Sequence, residues 1–182
     1  ETIMATEDAD PRFAELDAWP ISAAIEAMWD GQMAAVAAVR PALSQITAAT
    51  EAAADTLKER GRLIYAGAGT SGRVAVQDGT ELVPTFNWPP ERLAYLLAGG
   101  DEAMLQSVEG AEDDALEGAR QMDVAEVGRD DVVIGVAASG RTPYTVALIK
   151  RARERGALTI GVAGNAESAL LEAAEFQVLN ET

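Results

Sequence analysis

Two short segments of this 182-residue chain join glycine to hydroxyl side chains directly after an apolar run: Gly67-Ala68-Gly69-Thr70-Ser71-Gly72-Arg73 and Ala137-Ala138-Ser139-Gly140-Arg141-Thr142-Pro143. Glycine lets the backbone come close to a ligand and adopt positive φ. A helix that starts just after such a loop offers unpaired N–H groups and the positive end of its dipole to an anion. Hydroxyls add further donors without bulk. Gly69, Thr70, Ser71 and Gly72 in the first segment, and Ser139, Gly140, Arg141 and Thr142 in the second, are therefore candidate anion-binding residues. One such loop is most often a tight turn with a serine cap; a pair carries more weight.

The type of anion follows by comparison of patterns. No lysine follows Gly72, which disfavours a nucleoside-triphosphate P-loop. Residues 67–72 satisfy a loose G-x-G-x-x-G, so a dinucleotide site competes. That site wants an acidic residue about 20 positions on, at the end of the second strand, whereas the first acid there is Asp101, after Ala98-Gly99-Gly100. The second hydroxyl-rich loop also has no part in that scheme. A sugar phosphate suits both loops.

Composition narrows the chemistry. Histidine and cysteine are absent, which removes a Ser-His-Asp triad, an imidazole base, thiolate or imidazole zinc sites and disulfides within this chain. Proton transfer falls to carboxylates, lysine, tyrosine or water. Thirty Asp and Glu against 14 Lys and Arg give a net charge of −16 and a pI near 4.2, so nucleic acid and anionic membranes are poor partners. An anion must then be held by a specific pocket against an unfavourable overall field. No run approaches roughly 18 apolar residues and the opening residues are acidic and polar, unlike a signal peptide. The expectation is a cytoplasmic protein.

The elements that must position these loops are legible as an alternation. Residues 21–39 and 42–60 are alanine-rich with larger apolar groups at helical spacing, interrupted by Pro41 and stopped at Gly61. Mean hydropathy is 0.00 although 48% of residues are hydrophobic, because so many of them are alanine. Such helices bury little alone, at roughly 25 cal/mol per Å² of apolar area, and are expected to pack on something larger, such as another subunit. Apolar runs at 63–66, 92–97, 131–136, 158–162 and 176–179 predict five strands. Helices are predicted at 73–77, 102–122, 144–155 and 168–174. Strands apolar on both faces and joined by helices argue for a parallel sheet covered on both sides with right-handed crossovers. In the flavodoxin-like order the ligand site lies between strands one and three, where the two loops would converge. The fold class expected is α/β, a three-layer αβα sandwich around a five-stranded parallel sheet, with residues 1–60 as an N-terminal helical arm and 61–182 as the sugar-phosphate-binding domain.

Residues 67–73, Glu81-Leu82-Val83-Pro84-Thr85-Phe86, Leu97-Ala98-Gly99-Gly100, the acidic stretch 108–114 and residues 137–144 together resemble the N-acetylmuramic acid 6-phosphate etherases, within the sugar isomerase (SIS) superfamily. The resemblance runs from about Thr6 to Thr182. Family chains are longer and continue into a helical C-terminal part. Members commonly read Ser-Glu-Cys-Pro-Pro-Thr where this chain reads Thr80-Glu81-Leu82-Val83-Pro84-Thr85, so the glutamate is kept and its flank altered.

The resemblance implies a cofactor-independent, metal-free carbon–oxygen lyase. It would cleave the D-lactyl ether at C3 of N-acetylmuramic acid 6-phosphate, giving N-acetylglucosamine 6-phosphate and lactate, during recycling of cell-wall amino sugars. By the same resemblance Glu81 is the acid that protonates departing lactate, Glu112 is the second acid/base and the remover of the C2 proton, and the protein is a homodimer with sites near the interface. Glu81 precedes an apolar, rigid stretch and is expected to be partly buried; the acids around Glu112 would otherwise read as a solvated helix face. Two readings stand beside the etherase: an aldose–ketose isomerase of phosphosugars, which also needs a base near C2, and a non-catalytic sugar-phosphate sensor, since the eukaryotic glucokinase regulatory protein is built on similar domains.

Overall fold

The computed structural model describes Thr6 and residues 10–181; residues 1–5, 7–9 and 182, which hold most of the acidic opening, lie outside the described residues. After two short 3-10 turns, Pro20 precedes helix α1 (Ile21–Ala38). The backbone stays right-handed helical at Val39 and passes through a 3-10 turn (Arg40–Ala42), where Pro41 sits in the first turn, into α2 (Leu43–Leu57). The end of α2 is closed by Arg92, whose guanidinium donates to Leu57 O and Lys58 O (both 2.9 Å) and to Gly61 O (2.7 Å). Those bonds satisfy carbonyls that a helix end leaves orphaned.

The chain then alternates strands β1 (Leu63–Gly67), β2 (Leu93–Leu97), β3 (Val132–Val136), β4 (Leu158–Ala163) and β5 (Phe176–Leu179) with helices α3 (Gly69–Phe86), α4 (Ala115–Val124), α5 (Pro143–Glu154) and α6 (Ala169–Ala173). The five strands form one parallel sheet in the order β2-β1-β3-β4-β5. The order reverses at β1 and β3, so the turns that follow these two strands leave the sheet side by side.

Strand side chains alternate between the two faces. Ile64, Ala66 and Val133 point into a core with Met122 of α4, Tyr144, Leu148, Ile149 and Ala152 of α5, and Leu170 of α6, all buried. Each large aliphatic group there contributes roughly 1.5–3 kcal/mol. On the other face Leu63, Val132, Ile134, Leu158, Ile160, Val162 and Val178 meet Ala49 and Leu57 of α2, and Tyr65 packs on α3, its hydroxyl donating to Asp78 at 2.7 Å. Covering is therefore complete on the α4–α5–α6 side only. Between α2 and the sheet a groove of about 760 Å³ stays open, lined by Ile46, Ala53, Tyr65, Trp88, Ile160 and Val162 among others.

Two expected helices differ in extent. The helix predicted at 73–77 is the 18-residue α3, which carries Pro84 inside it. Pro84 removes a bond to the carbonyl of Thr80, an exposed residue, so the loss is tolerated and the helix ends only at Asn87, whose φ of 53° is left-handed. The single helix predicted over 102–122 is instead two 3-10 turns, Asp101–Met104 and Ala111–Asp113, followed by α4. Gly110, at φ 72°, breaks the run, and Asp114 starts α4 by accepting from Glu117 N–H at 2.9 Å.

Candidate functional site

The site forms at the carboxyl ends of β1, β2 and β3. Helix α3 begins immediately at Gly69 with no side-chain cap, so its first-turn N–H groups point past the end of β1 without a side-chain acceptor. Gly72 makes this close approach possible: a Cβ there would lie 2.7 Å from Leu97 and 2.9 Å from the backbone of Gly67. Helix α5 likewise starts without a side-chain cap, with Thr142 ahead of Pro143. Gly140 holds φ 65°, and its missing Cβ is the space taken by Ser168.

The two hydroxyl loops meet as their neighbouring strands require. Ala138 N–H donates to Ser71 Oγ at 3.3 Å, and Arg141 N–H donates to Ser139 Oγ at 3.2 Å. Both hydroxyls act as acceptors in these contacts and keep their own hydrogens for a ligand. Thr70 and Ser71 line a cavity of about 250 Å³ with Ala138, Gly164 and Asn180. Ser139 and Thr142 are half-buried, Gly140 is buried and Arg141 is exposed.

A second cavity of about 270 Å³ opens on the other side of the first loop, lined by Gly69, Arg73, Ala98, Gln106, Glu109 and Glu112 with their neighbours. Glu112 is exposed and sits in the 3-10 turn Ala111–Asp113, not on a helix. Arg73 is the cation among the residues lining this cavity. Its Nη1 donates to Ala103 O (3.0 Å) and its Nη2 to Thr70 Oγ1 (3.2 Å), so it ties the segment after β2 to the first loop beside a cavity that Glu109 and Glu112 also line. Reading the sequence for loops missed Arg73 as a site residue. The usable signal was its place one helical turn beyond Gly69 and Thr70.

Glu81 is not brought to this cavity. It lies eight residues beyond Arg73 on α3, about 12 Å further along the axis at 1.5 Å per residue, and it is exposed. The partial burial expected for it is absent because Leu82, Val83 and Pro84 continue the helix instead of folding over it. Within one chain, then, Glu112 and Glu81 do not share a cavity.

Two further residues hold the second loop in place. Asn165 is buried, donates to Ser139 O at 3.2 Å and exchanges hydrogen bonds with Thr6; it props the loop from behind. Tyr144 is fully buried, and its hydroxyl donates to Gln121 Oε1 at 2.6 Å. Burial pushes that hydroxyl far up from its ordinary value, which fits a packing role and not a proton-transfer one.

Comparison with known proteins follows the same lines. Residues 45–153 match the family described as Glucokinase regulatory protein N-terminal SIS domain. The chain is 50% identical over 177 residues to the N-acetylmuramic acid 6-phosphate etherase of Deinococcus radiodurans, covering 97% of this chain and 58% of that protein. It is 47% identical over 176 residues to the etherase of the same name from Streptomyces avermitilis, covering 96% and 56%. The chain thus spans less than three fifths of these relatives. Among solved structures, phosphoheptose isomerase from Neisseria gonorrhoeae superposes with a TM-score of 0.67 at 15% identity, covering 90% of this chain and 88% of that one; a likeness at that identity speaks for the fold. Among the described residues, no helix is long and apolar enough to cross a membrane.

Proposed function

We propose, for a chain that belongs to the glucokinase regulatory protein N-terminal SIS domain family, that it forms the sugar-phosphate-binding part of an N-acetylmuramic acid 6-phosphate etherase. The observation that carries the reading is one cavity in which the uncapped start of α3, Arg73 and Glu112 meet at the end of β1, in a chain half identical to a protein named as that etherase. The loop amides, Ser71, Ser139 and Thr142 hold the phosphate. With the sugar ring open, the C2 hydrogen is acidic beside the aldehyde. Glu112 removes it, the C3–O bond breaks, and the lactate oxygen takes a proton from Glu81. Water then adds across the C2–C3 double bond, its oxygen to C3 and a proton to C2, so that one water is consumed for each lactate released. Two carboxyl groups perform these proton transfers, which carboxylates can do without histidine or cysteine.

The reading includes a cytoplasmic location and a homodimer with sites near the interface. A dimer is supported by α1, which buries none of its residues, and by the separation of Glu81 from the cavity of Glu112. Incubating the full-length protein with N-acetylmuramic acid 6-phosphate tests the proposal, with lactate and N-acetylglucosamine 6-phosphate expected in equal amounts. Tight binding without lactate would make the protein a sensor, and aldose–ketose interconversion would make it an isomerase; either result overturns the etherase reading.

A further inference from the structure

Among the described residues, helix α1 and the open groove beside α2 both present large apolar side chains that the chain leaves uncovered, with charges of opposite sign at their edges; only the shallow cavity that Phe13, Leu16 and Trp19 share with Ile21, Ile25 and Met28 adjoins the α1 face. On α1 the large apolar residues Ile21, Ile25, Met28, Trp29, Met33 and Val36 recur at spacings of three and four, and all are exposed, Trp29 at 66% and Val36 at 68%. At 100° per residue they occupy one arc of roughly 140°. The rest of the helix is mostly alanine, and its ionisable side chains, Glu26 and Asp30, flank one edge of that arc. The groove is an apolar trough on the sheet, with Ile46, Ala53 and Leu57 on one wall, Trp88 on another, and Ile134, Ile160 and Val178 along the floor. Lys58 is the charged residue on its rim, opposite in sign to both acids of α1.

The chain cannot place α1 in its own groove. An antiparallel pair of helices needs a short non-helical loop to reverse direction, whereas here helical backbone runs on through Val39, the turn Arg40–Ala42 and Leu43. The helix therefore projects away from the wall of the very groove it would fill. A second copy has no such constraint. Reciprocal insertion would be a two-fold, self-complementary exchange, in which each chain gives one helix and receives one.

We propose that α1 of one protomer docks in the groove between α2 and Trp88 of a second copy of this chain, so that the dimer is held by exchanged N-terminal helices. This rests on the homodimer in the reading above and names the surface that makes it. The lack of cysteine in the chain permits a direct test. Met28→Cys and Thr50→Cys, each made alone, are mixed and treated with a short bis-maleimide; Thr50 lines the groove and is exposed. A covalent dimer joining one chain of each kind is expected, well above the yield from either variant alone. In parallel, sedimentation of the 182-residue chain is compared with Ile25→Asp/Trp29→Asp. No residue of α1 is buried in the chain, so these changes leave the protomer folded, which far-UV circular dichroism verifies. The dimer dissociation constant should rise by roughly 100-fold or more, as for loss of central aromatic anchors. A dimer that survives the double substitution, or that gives no mixed cross-link, overturns helix exchange while leaving the homodimer intact. A parent chain that is monomeric at tens of micromolar overturns both and leaves the groove to another occupant.

Discussion

Replacing Arg73 by methionine keeps most of the stem and removes the guanidinium from the cavity that Glu112 also lines. Two hydrogen bonds go with it, to Ala103 O at 3.0 Å and to Thr70 Oγ1 at 3.2 Å. Ala103 is buried, so its carbonyl loses a partner, at about 1–3 kcal/mol for an unsatisfied buried group. The adjoining cavity admits water, which puts the cost near the low end, about 1 kcal/mol. The larger effect falls on an anionic ligand. A hydrogen bond from a charged donor contributes about 1.5–3 kcal/mol, so N-acetylmuramic acid 6-phosphate should bind Arg73→Met roughly 10- to 150-fold more weakly than the parent. Calorimetric titration with this sugar, and with its unphosphorylated counterpart, separates the two contributions. Loss of a contact to the phosphate weakens only the phosphorylated sugar, whereas loss of a contact to the lactyl carboxylate, which both sugars carry, or loosening of the segment after β2 weakens both. Urea unfolding, with a midpoint close to the parent's, confirms that the fold is retained. Affinity for the phosphorylated sugar within twofold of the parent would refute any contact between Arg73 and an anionic group of the ligand.

In the full-length protein, Glu81→Gln should exchange the C2 hydrogen with solvent deuterium while releasing almost no lactate, and Glu112→Gln should lose both; general acid or base assistance of roughly 10²–10⁴ makes the contrast measurable. Full lactate release by Glu81→Gln would remove its acid role. Ser139→Ala should weaken sugar-phosphate binding by about 1.5–3 kcal/mol, and unchanged titrations would detach the second loop from the ligand. Asp131, 9% exposed, accepts from the Arg62 guanidinium, with the shortest contact at 2.7 Å, and from Arg62 N–H and Gly128 N–H, both at 3.0 Å. Arg62 is 31% exposed, so Asp131→Asn should cost about 2–3 kcal/mol, less than a fully buried pair. Burial pushes the Asp131 carboxyl up, but the hydrogen bonds from Arg62 and Gly128 outweigh it and hold it below its ordinary value. The parent's advantage should therefore be full above about pH 4 and shrink as pH falls through the depressed value; urea midpoints that keep a constant gap down to pH 2.5 would contradict this.

The α/β class, the five strands and the pairing of two hydroxyl loops were legible because each rests on local pattern. Apolar runs such as 132–136 and 158–162, joined by helices, are the usual mark of a parallel sheet, and a glycine-hydroxyl loop before a helix is visible wherever it occurs. Even the weak run at Phe176–Leu179 pairs in register beside β4, because the crossover rhythm calls for a strand there. Helix extent was less legible. Pro84 and Gly110 are both punctuation marks in sequence, yet only Gly110 breaks the helix. The difference depends on whether the freed carbonyl reaches water and on a left-handed backbone angle.

What the tertiary structure alone decided is which side chains share a space. Spacing cannot tell that Arg73 and Glu112 line one cavity, because the segment that carries Glu112 is brought there through turns at Gly99, Gly100 and Gly110. Nor can it tell that Glu81 lies outside that cavity, since its distance is set by the unbroken length of α3. The alanine content of residues 21–57 was enough to ask for a packing partner. That α2 finds one on the sheet while α1 finds none follows from the helical turn between them, a matter of a few backbone angles at Val39, Arg40 and Leu43 that no hydrophobic pattern encodes.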